Sequence, residues 1–180
     1  FRAEVYWRDS SAFRHRVGAS MDDSTIFKTN DGWLFAGEDN YTKYNGAVRV
    51  RAVIKMDFWF GCYMQSGKYF YDVRCISLTR DEPFFAARLE LSRNGYLGLY
   101  IPENDRSPPT EAQLWQLDSF DPKGRKPGDW MHGLTLRNAR GQAVKRLYKD
   151  NFPYLSVGGS GEEGSVTMNV VQVGEGYLFP

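Results

Sequence analysis

The chain has 180 residues, of which 42% are hydrophobic, 16% aromatic and 25% charged, so it is neither disordered nor too short to bury a core of its own. Its 23 basic and 22 acidic side chains leave a formal net charge of +1, which argues against a protein built mainly to hold nucleic acid. No apolar run approaches the roughly 18 residues of a membrane-spanning helix. Because the chain begins with Phe1 instead of Met, we expect a processing boundary there.

Short runs rich in Val, Ile, Phe, Tyr and Trp alternate with Gly and Pro along the chain, which is typical of many short strands. The first clear strand is Ala47 to Lys55, where apolar and polar residues alternate with period two. The pattern continues over Met56 to Tyr63, which is apolar on both faces. A turn at Ser66-Gly67 then predicts a returning strand over Tyr69 to Leu78.

A hairpin is predicted from Phe84 to Ile101, with its turn at Arg93-Asn94-Gly95. A three-residue turn with Gly95 in the left-handed region pairs Leu91 with Leu97 and places the aliphatic residues on one side. A two-residue Asn-Gly turn would mix the two faces, so we favour the three-residue turn. In that register four side chains share the opposite face: Arg88, Glu90, Tyr96 and Tyr100.

The remaining elements follow from the same signals. A short helix is expected to begin near Thr110, where a capping residue precedes helix formers. Three further strands are predicted over Trp130 to Arg137, Ala143 to Lys149 and Ser165 to Val173. About ten strands with at most one or two short helices predict an all-β fold. We expect one domain over residues 1–180, with residues 1–25 as a peripheral N-terminal segment.

Four motifs in the C-terminal half resemble, in order, strands of laminin-G and concanavalin A-like lectin/glucanase domains. Gly128 to Asn138 resembles the G-x-W-x-H-hydrophobic strand, and Leu147 to Asp150 resembles the L-Y-x-D-G strand. Leu155 to Gly158 and Gly164 to Val170 resemble the L-x-I-G and G-x-I-x-x-V strands. The resemblance implies a two-sheet antiparallel β-sandwich (jelly roll) that binds carbohydrate on its concave face or rim. The E-x-D-x-x-E strand of laminarinase-like glucanases is absent, so the acid pair for retaining hydrolysis is missing.

The polar face of the predicted hairpin is the first candidate site. Tyrosine rings stack on the apolar faces of sugar rings, and an Arg–Glu pair can hydrogen-bond hydroxyl or uronate groups. We therefore expect Arg88, Glu90, Tyr96 and Tyr100 to bind a glycan. Arg49 and Arg51 would extend the face and favour an anionic glycan. The alternative is a cross-strand ion pair on a solvated face.

Tryptophan and histidine supply further candidates. Trp33 follows a turn and Trp115 follows a proline-rich loop, so both are expected at the rim as stacking platforms. Trp59 and Trp130 lie in hydrophobic strands and are expected in the core. His132 is the candidate general base in a strand, although a structural role is favoured.

The remaining candidate residues carry oxygen or sulfur ligands. Asp22, Asp23 and Asp31 are candidate ligands for a structural calcium ion, which binds six to eight oxygens, although ordinary turn residues would look the same. No other cofactor is expected. Cys62 and Cys75 are either bonded to each other or free.

The sequence thus predicts a non-catalytic carbohydrate-binding or adhesion module of a larger extracytoplasmic protein, located outside the cell, at its surface or in the periplasm. Its expected partners are a glycan, which the arginines would make anionic, and other domains of a parent chain, with no nucleic acid and no membrane span. Two alternatives stay open. One is a polysaccharide lyase or glycosidase of the same fold that uses Glu90, Arg88, Tyr100 and His132. The other is a structural or protein-interaction sandwich.

Overall fold

The computed structural model describes residues 1–10, 13–20, 32–37, 54–76, 85–102, 108–149 and 152–174. These residues form thirteen strands and one short 3-10 turn, Glu111–Gln113. In chain order the strands are β1 Arg2–Arg8, β2 Arg14–Ser20, β3 Gly32–Ala36, β4 Ile54–Lys55, β5 Asp57–Gln65, β6 Lys68–Ile76, β7 Arg88–Leu91, β8 Leu97–Tyr100, β9 Gln116–Asp118, β10 Trp130–Arg137, β11 Val144–Lys149, β12 Phe152–Val157 and β13 Ser165–Gln172.

Seven of these strands close into an antiparallel barrel. The order around the barrel is β3, β8, β7, β6, β5, β1 and β2, and β2 pairs again with β3 to complete the ring. Two groups of strands extend the sheet outside the barrel. One is β13, which pairs along β1 and carries β10 and then β9; the other is β12, which pairs with β3 and carries β11. The two-residue strand β4 pairs with β2.

The all-β class is confirmed, but the two-sheet antiparallel β-sandwich (jelly roll) is wrong. A sandwich needs two sheets packed face to face, whereas the described strands belong to a single hydrogen-bonded sheet that closes through β2. The alternation in the sequence identifies a buried face, which a sandwich and a barrel share, so it does not distinguish the two. The jelly-roll architecture that the resemblance implied is therefore wrong, whereas the resemblance of the four motifs to concanavalin A-like and laminin-G-like domains stays a prediction.

The barrel interior is filled by side chains. On β1, Ala3, Val5 and Trp7 are buried, while the alternate residues of that strand face outward. One cavity of about 30 Å³ lies between apolar side chains that include Phe58 and Leu97. Its volume is about that of one water molecule. The interior is therefore a packed core that fixes the outward-facing residues in place.

Several local predictions are confirmed. Ser66 and Gly67 form the turn between β5 and β6, with φ angles of 49° and 76°. In the β7–β8 hairpin Leu91 pairs with Leu97, and Gly95 has a φ of 82°, as the three-residue turn requires. Thr110 caps the 3-10 turn, because its N–H donates to Gln113 Oε1 at 2.9 Å.

Other predictions are only partly covered by the described residues. Of the predicted strand Ala47 to Lys55, the structure describes Ile54–Lys55 as β4. Within residues 1–25, β1 and β2 are two strands of the barrel. The sequence left open whether the two cysteines are bonded to each other, and in the structure they are not: Cys62 is exposed, and Cys75 is buried with its sulfur 3.4 Å from that of Met56.

Candidate functional site

The predicted hairpin face exists, but it is not an open patch. Arg88 and Glu90 share the outer face of β7–β8 with Tyr96 and Tyr100, yet Arg88 is only 2% exposed. Its Nε donates to Asp72 Oδ1 at 2.9 Å, and Arg74 Nε donates to Asp72 Oδ2 at the same distance. The expectation of an uncovered binding surface at Arg88 is therefore wrong.

The 3-10 turn covers this ion network. Arg88 Nη1 donates to Gln113 Oε1 at 3.4 Å, and Gln113 Nε2 donates to Glu90 Oε1 at 2.7 Å. Gln113 thus bridges two members of the predicted site with one amide group. This cover was not predictable from the sequence pattern, because residues 111–113 come from a separate part of the chain. The arrangement holds the turn on the barrel.

The aromatic candidates lie in three different environments. Trp33 contacts Tyr96 edge to face, with ring centroids 6.0 Å apart, and both rings are half-buried. Tyr100 is half-buried and packs its ring over Gly98. The prediction that Trp115 is a stacking platform at the rim is wrong, because its side chain is 2% exposed and its Nε1 donates to Leu89 O at 2.9 Å.

The residues considered for catalysis are not brought together. His132 lies on β10 and Glu90 on β7, and the strand order places β6, β5, β1 and β13 between those two strands. Arg88 is held by Asp72 and Gln113, away from His132. The structure therefore supplies no common site for the four residues of the enzyme alternative.

Several candidates lie outside the described residues: Arg49, Arg51, Asp22, Asp23 and Asp31. Across the described part of the chain, no three His, Cys, Asp or Glu side chains cluster so as to hold a metal ion. In the same residues no helix is long and apolar enough to cross a membrane.

A different surface carries the most exposed indole. Trp130 was expected in the core, but it is 45% exposed on the outer face of β10. The ring of Tyr6 lies 5.6 Å from it, and the ring of His132 lies 6.2 Å away at an interplanar angle of 15°. The guanidinium carbon of Arg14 lies 5.3 Å from the indole centroid. We call this group, together with Arg8 on β1, the Trp130 surface.

Strand geometry explains why Trp130 faces outward. Met131 pairs with Met168 of β13 and points into the core, so its neighbours Trp130 and His132 point away from it. Gly133, with a φ of 69°, lies where the register between β10 and β13 shifts, and Leu134 is buried again after the shift. Alternation was thus a usable signal, since Trp130 and Met131 cannot both face the core.

A network of carboxylates and arginines supports the surface from one side. Glu4 Oε2 accepts hydrogen bonds from Tyr6 Oη at 2.9 Å and from Asn169 Nδ2 at 3.0 Å. Arg16 lies between two carboxylates, 3.2 Å from Glu4 and 2.9 Å from Asp57. Burial acts to raise the pKa of Glu4, but these hydrogen bonds and the nearby arginine charges outweigh it and hold the pKa below its ordinary value.

Two other arginines of the surface are not neutralised in this way. Arg8 and Arg14 are directly opposed across β1 and β2, and both are exposed. Within the described residues neither forms an ion pair with a carboxylate, and the recorded contact of Arg14 is with Trp130. Like charges directly opposite each other destabilise a sheet. An anion between them would relieve this repulsion.

The comparisons with known proteins bear on the fold alone. No family model and no curated protein matches the sequence. Among solved structures, the crystal structure of Cry35Ab1 is similar to 98% of this chain, with a TM-score of 0.52 and 9% sequence identity. The chain spans 38% of the length of Cry35Ab1. The likeness agrees with a β-barrel architecture and not with the predicted sandwich.

Proposed function

We propose that the chain is a non-catalytic binding module of a longer protein, and that its Trp130 surface binds a ligand with an anionic group beside a flat apolar face. The observation that carries the proposal is an exposed indole with Arg14 against its ring and Arg8 opposite Arg14. The similarity to 38% of a longer chain, Cry35Ab1, supports a module within a larger protein.

Each part of the surface matches one part of such a ligand. Trp130 and the near-parallel ring of His132 offer an aromatic face for stacking. Arg8 and Arg14 offer charge-assisted hydrogen bonds, each worth about 1.5–3 kcal/mol. Losing one such bond corresponds to a fall in affinity of about tenfold or more.

An acidic saccharide has both chemical features, and so does an aromatic carboxylate. The glycan partner and the extracytoplasmic location stay predictions from the sequence. The experiment below therefore tests charge and sugar chemistry separately.

The test is calorimetric titration of the protein with three probes: polygalacturonate, its methyl-esterified form and 2-naphthoate. We expect polygalacturonate or naphthoate to bind, the neutral ester to bind much more weakly, and added salt to weaken binding. Trp130→Ala should abolish binding, whereas Arg14→Gln should weaken it by about tenfold. The matched control is Arg140→Gln, an exposed arginine in the turn after β10, which should bind as the wild type does.

Two outcomes decide the proposal. Binding of naphthoate without polygalacturonate would keep the anionic ligand and reject the saccharide. Absence of binding to any probe, or binding that Trp130→Ala leaves unchanged in a variant with wild-type circular dichroism, would reject the proposal itself.

A further inference from the structure

The Trp130 surface has two chemically different ends. The outward-facing residues of β1 are, in chain order, Glu4, Tyr6 and Arg8. Arg8 lies opposite Arg14 of β2, and we call these two arginines the cationic end. Glu4 lies opposite Asn169 of β13, and we call these two residues the acceptor end. A ligand that lies along β1 therefore meets positive charge at one end and oxygen acceptors at the other.

The acceptor end has unused hydrogen-bonding capacity. Glu4 accepts hydrogen bonds from Tyr6 and Asn169 and pairs with Arg16, and its side chain is 23% exposed. An ionised carboxylate accepts about four hydrogen bonds, so one position of Glu4 is unused within the described residues. Asn169 Oδ1 is shielded from solvent and accepts no hydrogen bond from the same part of the chain. Both observations indicate a ligand that supplies donors at this end.

The acceptor end is electrically neutral as a whole. Asp57 lies 2.6 Å from Arg2 and 2.9 Å from Arg16. Arg16 in turn lies 3.2 Å from Glu4, so two arginines and two carboxylates cancel. Because no negative charge is in excess, an ammonium group would gain little attraction here. A neutral hydroxyl group can still donate a charge-assisted hydrogen bond to Glu4, so hydroxyl groups are the donors that fit this end.

The two ends are too far apart for a small aromatic acid to reach both. Glu4 and Arg8 are four positions apart on one strand, which separates their Cα atoms by about 13 Å. Between the ends lies the Trp130 indole, 5.6 Å from the ring of Tyr6 and 5.3 Å from the guanidinium carbon of Arg14. A sugar ring offers a flat apolar face to an indole and carries hydroxyl groups around its edge. A chain of sugar rings therefore supplies the length, the stacking face and the donors together.

We propose that the ligand of the Trp130 surface is an oligosaccharide with its acid group at one end. The carboxylate binds Arg8 and Arg14 at the cationic end, and a sugar ring stacks on Trp130. Hydroxyl groups of a neutral sugar donate to Glu4 and Asn169 at the acceptor end. This inference rests on the proposed function, and it adds the class, the length and the direction of the ligand to it.

The length and the hydroxyl groups are tested by calorimetric titration with three acids. Cellotrionate has one terminal carboxylate followed by two neutral glucose rings, gluconate is the same acid end alone, and 2-naphthoate has a carboxylate and a flat face without hydroxyl groups. We expect cellotrionate to bind at least about tenfold more tightly than gluconate, because it alone reaches the acceptor end. Arg14→Gln should weaken both cellotrionate and naphthoate, because both place their carboxylate at the cationic end.

The acceptor end is tested separately with Glu4→Gln. This variant should bind cellotrionate about tenfold more weakly, because it loses a charge-assisted hydrogen bond. Naphthoate does not reach Glu4, so its affinity should not fall, and its binding also reports that the variant is folded. The matched control is Glu111→Gln, which removes the same charge from an exposed position on the 3-10 turn. It should bind both acids as the wild type does.

Three outcomes would overturn this inference while the proposed function stands. The first is naphthoate binding with cellotrionate no tighter than gluconate in the wild type, which needs no variant to fold. The second is Glu4→Gln with wild-type circular dichroism that weakens cellotrionate and naphthoate equally. The third is tighter binding of an acetylated Asp-Ser-Ser-Ser peptide amide than of cellotrionate, which would assign the surface to a peptide. Absence of binding to every probe would instead reject the proposed function, and this inference with it.

Discussion

Replacing Asp72 with Asn tests the buried ion network under the 3-10 turn. Asp72 is 1% exposed, and the guanidinium groups it contacts belong to Arg88, at 2% exposure, and Arg74, at 5%. Its two carboxylate oxygens each accept an Nε–H at 2.9 Å. An Asn side chain keeps one acceptor oxygen but presents an NH2 group to the other guanidinium. The substitution therefore opposes donor to donor and removes the negative charge.

The expected cost is large because both cations stay buried. Breaking a buried ion pair from one side costs about 3–5 kcal/mol. For a chain of this size each kcal/mol corresponds to about 2–4 °C in the melting temperature, which gives a fall of about 6–20 °C. The matched control is Asp118→Asn. Asp118 also pairs with an arginine Nε, that of Arg137, but its side chain is 44% exposed, so we expect a loss of about 1 kcal/mol or less.

Urea unfolding followed by circular dichroism measures both free energies of unfolding. A change in midpoint at an unchanged slope would show that native-state stability is what falls. If Asp72→Asn lost less than Asp118→Asn, burial would not be what makes this network strong, and the reasoning would be refuted.

Three further predictions use the same unfolding assay. Leu97→Ala should lower the free energy of unfolding by about 2–5 kcal/mol, because Leu97 is fully buried. Leu91 lies on the same face but is 40% exposed, so Leu91→Ala should lower it by about 1 kcal/mol or less. Equal losses would contradict the hairpin geometry. Gly164→Ala should lower the free energy of unfolding by about 1–3 kcal/mol, because its methyl group would lie 2.5 Å from the buried indole of Trp7. An unchanged unfolding midpoint would contradict this, because it would mean that the indole moves aside at no cost. The pKa of Glu4 is lowered in the folded chain, so its stabilising effect is present above the ordinary carboxyl pKa and is lost as pH falls through the folded pKa. The stability difference between wild type and Glu4→Gln should therefore vanish in acid; a difference that persists there would contradict the pKa shift.

Local structure was predictable where a short segment contains its own constraint. Gly95 is the residue of the β7–β8 turn that adopts a positive φ without strain, and the leucines on either side then fix the register. The same holds for Ser66-Gly67 and for the cap at Thr110. In each case the deciding contacts lie within a few residues of one another.

Closure of the barrel was not predictable in this way. It depends on β2 pairing with both β1 and β3, and on β3 pairing with β8, whose residues lie more than sixty positions further along the chain. Strands of either a sandwich or a barrel bury one face, so their alternation is the same. The choice between the two architectures is made by pairing between distant segments, for which a single sequence carries no local signal.

The candidate site shows the same limit. Arg88 was correctly placed on the outer face of its hairpin, but the residue that covers it, Gln113, arrives from a different segment. Trp130 was assigned to the core because its strand is hydrophobic, although Met131 occupies the inward position. Alternation in the sequence therefore shows which residues of a strand share a face, whereas the exposure of each face depends on what packs against it.

The position of β13 between β1 and β10 has a consequence for the speed of ligand binding. Tyr6 lies on β1 and Trp130 lies on β10, and both strands are hydrogen-bonded to β13. The backbone distance between the two residues therefore cannot change unless one of these strand pairings breaks. A ligand then meets rings that are already in place, and association should proceed in one step without a slow rearrangement. The observed rate constant should rise linearly with ligand concentration, and the association rate constant should fall with ionic strength, as expected for an encounter steered by arginine charges on a rigid sheet.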